Sequence, residues 1–306
     1  MAPGAPDPLE VRDLVKHYGS KVAVDGVSFT VPRGKVFCLL GQNGAGKTTT
    51  LEVTQGIRKP TRGEVRLFGE DPRTAGAALK RRMGVLPQRF TGFSMLTVEE
   101  NLRYFAEIYG ADPDLPALLE SLDLTASRKA PFSTLSGGTM RRVGIATALV
   151  HDPELVFLDE PTAGVDPVNR RRLWDIILRL RKEGRSVVLT THYMDEAERL
   201  ADEVAIIHRG RIIARGPPDR VRRDHGGGPV LRISGLQGNL PVTLAGRAGL
   251  RQDEEGATLI PLLNASEGPV LLSELARSGV AYQEFTVREP SLDDAFVRLV
   301  ATTEAA

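Results

Sequence analysis

The amino-acid sequence predicts an α/β fold that is organised around a mostly parallel β-sheet. Largely apolar runs occur at Val36–Leu40, Leu155–Leu158 and Ser186–Thr191, and segments with helical character lie between them. Strands that are apolar along their whole length are typical of parallel sheets, because helices cover both faces of such a sheet. A glycine-rich turn directly follows the first run and indicates a ligand-binding loop at one edge of the predicted sheet.

The glycine-rich turn has the complete pattern Gly41-x-x-x-x-Gly46-Lys47-Thr48. Glycine permits a tight bend and a close approach of the backbone to a ligand, and the loop and the next helix then present N–H groups to a polyphosphate. We expect Lys47 to reach the β- and γ-phosphates and the Thr48 hydroxyl to bind Mg²⁺. The chain is therefore predicted to bind a nucleotide through residues Gly41, Gln42, Asn43, Gly44, Ala45, Gly46, Lys47, Thr48 and Thr49.

Composition and charge limit the other functions of the chain. In 306 residues, 40 lysines and arginines balance 39 aspartates and glutamates, and the net charge is +1. Because there is no global basic field, nucleic-acid binding is not expected, and only a local basic patch remains open. A single cysteine, Cys38, rules out a disulfide within the chain, and the length predicts about two domains.

The N-terminal segment gives no targeting signal. Residues 1–8 are rich in proline, and we predict a disordered tail there. The segment has neither a basic start nor an apolar core, so it is not typical of a signal peptide. No uninterrupted apolar stretch approaches the roughly 18 residues that indicate a membrane-spanning helix. These features predict a cytoplasmic protein.

Several further elements are predicted in the first two thirds of the chain. Leu9–Leu14 and Val22–Val31 alternate in polarity and are predicted strands, and another strand is predicted at Met83–Gln88. The region from about 93 to 132 has no strand signal and is predicted to be a helical insertion. Thr97 is the predicted N-cap of its first helix.

Polar residues that can take part in binding or catalysis stand at the start of one predicted helix and at the ends of two predicted strands. Ser136–Gly138 precede a packed helix, so they expose N–H donors at its positive end. Asp159 is suited to holding Mg²⁺, and Glu160 can polarise an attacking water. His192 ends the next strand, where it is placed to contact the γ-phosphate side of a nucleotide. A strand-end cap and a structural histidine are the alternatives for these residues.

The last third of the sequence differs in its pattern of residues from the part that precedes it. Residues 218–229 are rich in proline and glycine and are predicted to form a linker. Residues 230–306 are predicted to form a small accessory domain of strands and helices. Its last helix has one apolar face, and Ser291 with Asp294 predicts a capping box at its start. Because no residue cluster here suggests catalysis, we predict a packing or docking module.

The order of the motifs over residues 9–217 resembles the ATP-binding subunit of ABC transporters. The motifs that match are the Walker A loop Gly41–Thr48, the Q-loop Gln88, the signature motif Leu135–Thr139, the Walker B Asp159 with Glu160, the D-loop Ala163–Asp166 and the switch His192. Thr139 departs from the commoner glutamine, and we expect tuned affinity from this change rather than lost function. The end of the chain, Glu289–Leu299, resembles the tail of ATPases in daunorubicin-type drug exporters.

The resemblance implies a fold, cofactors and residue roles. The implied fold is a P-loop NTPase core with a mostly parallel sheet, an antiparallel β subdomain, a helical subdomain at about 93–150 and a small α+β C-terminal domain. ATP and Mg²⁺ are the implied cofactors, and Tyr18 would stack on adenine. The implied catalytic residues are Glu160, His192, Gln88 and Lys47; the implied metal-binding residues are Thr48, Gln88 and Asp159; and the remaining implied nucleotide contacts are Ser136, Gly137, Gly138 and Asp166.

The resemblance also implies partners. Two ATPase domains, either two copies or this chain with a related subunit, would form a head-to-tail dimer that buries ATP. An integral membrane permease subunit would contact Phe93–Asn101, so the protein would lie on the inner face of the cell membrane. The implied activity is ATP hydrolysis that energises export of a drug, an antibiotic or another small molecule or lipid.

Two other functions fit the sequence less well than transport. A soluble ABC-type ATPase that acts on ribosomes or DNA would have two ATPase cassettes, a long coiled-coil insertion or a strongly basic face, and none is seen in the sequence. A regulatory nucleotide-binding protein without turnover would lack Glu160 or His192, and both are present.

Overall fold

The computed structural model describes residues 6–238, 240–241, 244, 249–253 and 255–305. The chain divides into two compact units, with the boundary after Pro218. Most of the predicted tail at 1–8 lies outside the described residues, and the first strand begins at Leu9. Within the described ranges, no helix combines the length and the apolar character that are needed to cross a membrane.

The first unit contains nine strands and seven α-helices in its described part. Its strands are β1 (Leu9–Tyr18), β2 (Lys21–Val31), β3 (Val36–Leu40), β4 (Arg62–Leu67), β5 (Met83–Leu86), β6 (Leu155–Asp159), β7 (Ser186–Thr191), β8 (Glu203–His208) and β9 (Arg211–Gly216). Its helices are α1 (Lys47–Thr54), α2 (Ala77–Arg81), α3 (Val98–Tyr109), α4 (Leu115–Ser121), α5 (Gly137–Leu149), α6 (Pro167–Lys182) and α7 (Met194–Leu200).

A six-stranded sheet in the order β5-β6-β7-β3-β8-β9 forms the centre of this unit. All neighbours are parallel except β8 and β9, which confirms the predicted mostly parallel sheet. Every residue of β3, β6 and β7 is buried, as their continuous apolar sequences predict. The carboxyl ends of these three strands therefore meet at one edge, where α/β sheets usually bind ligands.

A second, antiparallel sheet has the order β2-β1-β4. It shares one hydrophobic core with the central sheet. Phe29 of β2 stacks on Phe37 of β3, with ring centroids 4.6 Å apart and ring planes 7° from parallel. This packing fixes the antiparallel sheet beside the strand that leads into the glycine-rich loop.

The predicted helical insertion is helical in the structure. Thr97 caps α3 through a capping box with Glu100, and Gly110 ends the helix in the left-handed conformation with φ 59°. Strand β5 ends at Leu86, earlier than the predicted end at Gln88. Pro87 explains the difference, because proline has no N–H group to donate to a neighbouring strand.

The second unit has an antiparallel sheet with helices. Its elements are α8 (Pro218–His225), β10 (Val230–Ser234), β11 (Arg251–Gln252), β12 (Thr258–Pro261), α9 (Glu267–Arg277), β13 (Glu284–Arg288) and α10 (Leu292–Ala305), and the strand order is β11-β12-β10-β13. The Ser291 N–H donates to Asp294 Oδ2 over 2.9 Å and the Asp294 N–H donates to Ser291 Oγ over 3.1 Å, which confirms the predicted capping box.

The prediction of a linker at 218–229 is wrong for most of that segment. Residues Pro218–His225 form a helix, which precedes β10. Proline is favoured at the first helical position, and an acidic first turn with Asp219 and a basic last turn with His225 suit the helix dipole. These end signals outweigh the turn-forming character of the neighbouring prolines and glycines.

Glu99 in the first turn of α3 is held by two arginines. Its carboxylate accepts hydrogen bonds from Arg128 Nε over 2.5 Å and from Arg103 Nη2 over 2.7 Å. These bonds, with the Arg128 bond the larger influence, lower the pKa of Glu99 to about 2 from an ordinary value of 4.5. Because the folded-state pKa is depressed, the stabilisation is present above about pH 4.5 and is lost as the pH falls towards 2.

We predict that Glu99→Gln removes this pH dependence. Hydrogen exchange of the α3 amides should lose protection between about pH 4.5 and 2 in the native chain but show a smaller change in the variant. Glu107→Gln, on the same helix, is the matched control and should behave like the native chain. Equal acid-induced loss of protection in the Glu99→Gln chain would contradict the prediction.

Candidate nucleotide-binding site

The loop from β3 to α1 has the backbone geometry of a phosphate cradle. Gly44 has φ 81° and Gly46 has φ 110°, both in the left-handed region that glycine adopts without strain. Helix α1 begins at Lys47, and among the described residues no side chain caps its first turn. The first N–H groups of the helix and its positive dipole end are therefore available to an anion.

Lys47 lies at the base of this loop. Its Nζ donates to Gly41 O over 2.7 Å and to Gln42 O over 3.1 Å. The same ammonium lies 3.0 Å from Glu160 Oε1, and the two side chains are only 4% and 7% exposed. A cation and a carboxylate from different strand ends thus form a buried ion pair within the site.

Asp159 is fixed by neutral hydroxyl groups. Thr190 Oγ1 donates to Asp159 Oδ1 over 2.5 Å, and Thr48 Oγ1 lies 3.4 Å from the same oxygen. Burial raises the pKa of Asp159, the hydrogen bonds from the two threonines act in the opposite direction, and Glu160 raises it further. The Thr48 hydroxyl and the Asp159 carboxylate are hard oxygen donors, so the pair fits a magnesium ion chemically.

Glu160 is the meeting point of the predicted catalytic residues. Its backbone has φ 46°, an unusual conformation for a residue other than glycine. His192 Nδ1 lies 3.3 Å from Glu160 Oε2, and Gln88 Nε2 lies 3.5 Å from the same oxygen. With Lys47 Nζ 3.0 Å from the other carboxylate oxygen, the three other predicted catalytic residues all lie within contact distance of the Glu160 carboxylate.

A cavity of about 250 Å³ opens beside these residues. The residues that line it are Tyr18, Lys21, Ala23, Asn43, Gly44, Gly46, Lys47, Thr48, Thr49, Gln88 and Glu160. Tyr18 is 38% exposed, with Lys16 Nζ 5.0 Å and the Arg58 guanidinium 5.5 Å from its ring centroid. An exposed aromatic ring and phosphate-binding groups in the lining of one cavity suit the base and the phosphates of a nucleotide.

The signature residues are not part of the cavity lining. Ser136 caps α5, with its Oγ accepting from the Thr139 N–H over 3.3 Å. The hydroxyl of Thr139 lies 2.9 Å from Ser136 Oγ, so this departure from the family pattern contacts the signature serine directly. Asp166 caps α6 and accepts from Asn169 Nδ2 over 2.7 Å. Both motifs are ordered by their own helices, outside the cavity.

Sequence reasoning missed four residues at the site. Lys21 and Ala23 line the cavity from β2, Thr190 holds Asp159, and Arg141 contacts the backbone beside Glu160. The Thr190 position was visible as a polar residue at the end of an apolar strand. The other three have no local signal, because their roles come from distant segments that packing brings together.

Two family models match the chain. The model described as "ABC transporter" matches residues 24–163, and the model described as "ATP-binding protein DrrA1-3-like, C-terminal domain" matches residues 216–300. The first match begins in β2 and ends just beyond Glu160, so it contains the glycine-rich loop and both carboxylates.

Curated relatives match nearly the whole chain. "Nod factor export ATP-binding protein I" of Ralstonia nicotianae is 37% identical over 300 residues, which are 95% of this chain and 93% of that protein. The protein with the same description from Burkholderia thailandensis is 39% identical over 298 residues, covering 95% of this chain and 96% of the relative.

Solved structures of ATP-binding proteins match a large part of the chain. "Structure of ATP binding subunit of ABC transporter" has a TM-score of 0.65 and 33% identity and covers 71% of this chain and 93% of that one. A nucleotide-free ATP-binding cassette from an ABC transporter has a TM-score of 0.62 and 28% identity, with 69% and 92% covered. The chain belongs to the family of ABC transporter ATP-binding subunits, which hydrolyse ATP to power transport.

Proposed function

We propose that this chain energises export of a small molecule or lipid through a separate membrane subunit, with ATP hydrolysed at the Glu160 site. The convergence of Lys47, Gln88 and His192 on Glu160 carries the proposal for the chemistry. The full-length similarity to export ATPases supports the direction of transport. An ATPase that acts on ribosomes or DNA is not favoured, because the matched relatives are described as exporters.

Each residue of the site has a proposed role. Tyr18 stacks on adenine, while the loop N–H groups and Lys47 bind the phosphates. Thr48, Asp159 and Gln88 would hold Mg²⁺, which when bound would neutralise phosphate charge. Glu160 accepts a proton from the attacking water, and His192, which lies 3.3 Å from Glu160, orients that carboxylate.

We propose that the complete site is shared between two ATPase domains. Ser136, Gly138 and Asp166 lie outside the cavity that contains Lys47, although their helix ends offer N–H donors and a carboxylate. A second domain in head-to-tail arrangement would bring these residues to the first domain's nucleotide. ATP would then favour association and hydrolysis would favour release, because the donors of one site come from two chains.

The helical subdomain offers a surface for the membrane subunit. Met95 is 86% exposed, and Phe93 and Tyr104 are 45% and 43% exposed with ring centroids 4.6 Å apart. Gln88 lines the cavity and shortly precedes Phe93 in the chain. We propose that the surface places the protein on the inner face of the membrane, and that the membrane subunit selects the transported molecule.

Gly41→Ala should weaken ATP binding by about tenfold or more. A Cβ at Gly41 would lie 2.3 Å from Ile207 O and 3.0 Å from its Cγ2, so the loop would have to shift at an overpacking cost of roughly 1–3 kcal/mol. Gly76→Ala is the matched control, because a Cβ there meets no described atom within 4 Å. Calorimetric titration with ATP measures both, and equal affinities would refute the steric argument.

Glu160→Gln should lower ATP turnover by about 10²- to 10⁴-fold, as expected for the loss of a general base, while ATP still binds. Glu154→Gln is the control, since Glu154 is an exposed carboxylate at the opposite end of β6. Light scattering of the Glu160→Gln chain with ATP and Mg²⁺ should show the mass of a dimer. Undiminished turnover would remove Glu160 from the mechanism, and a monomer under these conditions would argue against a site shared by two copies.

Met95→Glu should prevent recovery of the membrane subunit. Affinity purification from native cells in mild detergent should yield a polytopic membrane protein with the native chain and much less with the variant, because a charge is costly in an apolar interface. Ile57→Glu, at a residue that is 65% exposed elsewhere in the same unit, is the matched control. Recovery of ribosomes or DNA without a membrane protein would overturn the transport assignment.

A further inference from the structure

Arg141 lies on α5, one turn beyond the start of the helix, and contacts an unusual set of acceptors. All the hydrogen bonds of its guanidinium go to backbone carbonyl oxygens. Nε donates to Pro161 O over 2.9 Å, and Nη1 donates to Pro87 O over 3.2 Å and to Gln88 O over 3.0 Å. Nη2 donates to Asp159 O over 2.7 Å and to Glu160 O over 2.5 Å.

These contacts use the full hydrogen-bonding capacity of the side chain. A guanidinium has five N–H donors in a fixed plane, and Arg141 makes five hydrogen bonds. In the part of the chain that the structure describes, Arg141 has no carboxylate within ion-pair distance. Burial lowers the pKa of the guanidinium, and the nearby carboxylates of Asp159, Glu160 and Glu196 act in the opposite direction. The direct contacts of the side chain are therefore hydrogen bonds to the backbone rather than ion pairs.

The five carbonyl groups belong to two segments that carry catalytic residues. Pro87 and Gln88 follow β5, while Asp159, Glu160 and Pro161 lie at the end of β6 and just after it. Strands β5 and β6 are parallel neighbours, but their ladder of hydrogen bonds stops at Leu86 and Leu158. Beyond that point, Arg141 connects the two segments.

The conformation of Glu160 makes this connection important. With φ 46°, Glu160 is in the left-handed region, which strains a residue with a side chain and persists only where the surroundings hold it. Arg141 Nη2 donates to the carbonyl oxygen of Asp159, which precedes Glu160, and to the carbonyl oxygen of Glu160 itself. The carboxylate that this backbone carries lies 3.0 Å from Lys47 Nζ.

We propose that Arg141 is a positioning residue that fixes Glu160 and Gln88 relative to each other and to the helix that carries the signature motif. The inference rests on the proposed roles of Glu160 and Gln88 in hydrolysis. Lysine cannot replace arginine here, because a compact ammonium with three donors does not span carbonyl groups on two segments. Arg141 itself contacts neither the cavity nor a reacting atom.

The experiment compares the full-length native chain with Arg141→Lys. Turnover should fall by about 10²-fold, the usual effect of misplacing a catalytic group by about 1 Å, while KM and the ATP dissociation constant stay within about twofold. Arg185→Lys is the matched control, because Arg185 Nη1 also donates to a backbone carbonyl oxygen, that of Pro153, over 2.8 Å. Pro153 lies just before the first residue of β6, at the end of the strand opposite Glu160. The control should retain native turnover.

A double variant separates positioning from general destabilisation. In the Glu160→Gln background, Arg141→Lys should lower the remaining turnover by much less than 10²-fold, since the carboxylate that it positions is already inactive and only the placement of Gln88 can still change. If Glu160→Gln itself leaves turnover unchanged, the proposed role of Glu160 fails. If Glu160→Gln lowers turnover but Arg141→Lys does not, only the inference about Arg141 fails.

Two further results would overturn the inference. One is a fall in ATP affinity that parallels the fall in turnover, and the other is a full additional loss in the Glu160→Gln background. If Arg141→Lys does not fold, Arg141→Gln gives the same comparison without a buried cation. Failure of both variants to fold, with Arg185→Lys folded, would show a requirement for folding and would overturn a role in positioning.

Discussion

The ammonium of Lys47 and the carboxylate of Glu160 lie 3.0 Å apart with almost no exposure to solvent. Removing two charges from water costs several kcal/mol for each ion, and only close pairing with additional hydrogen bonds compensates for it. Two carbonyl oxygens of the loop complete the partners of Lys47. Since Lys47 follows β3 and Glu160 follows β6, the pair forms only when the strand order β6-β7-β3 is correct.

The strand between them supplies the supporting contacts. Thr190 of β7 donates to Asp159 and accepts from the Glu160 N–H over 2.9 Å, and His192 follows the same strand. On the other side, Arg141 binds the carbonyl groups of the catalytic segment. The catalytic carboxylate is thus oriented through its own backbone as well as through its ion pair, and such preorganisation is what phosphoryl transfer requires of a protein.

Prediction from the sequence succeeded where the signal is local. The apolar runs of β3, β6 and β7, the N-cap at Thr97, the capping box at Ser291 and the glycine-rich loop each depend on residues within a few positions of one another. It failed at 218–229, where Pro218 and the charges around it start a helix although the composition resembles a linker. The stabilisation of Glu160 by Arg141 also lacked a local signal, because the two residues meet only through tertiary packing.

Glycine positions, apolar periodicity and helix caps act over a single turn or strand, so the amino-acid sequence was sufficient to predict the parallel-sheet core, the phosphate loop and the types of residue available for catalysis. The convergence of Lys47, Gln88 and His192 on one carboxylate and the left-handed backbone of Glu160 became visible in the folded chain alone. The same holds for the position of Ser136 and Asp166 outside the cavity. These facts depend on strand order and on contacts between residues far apart in sequence, and chain-local propensities carry no information about either.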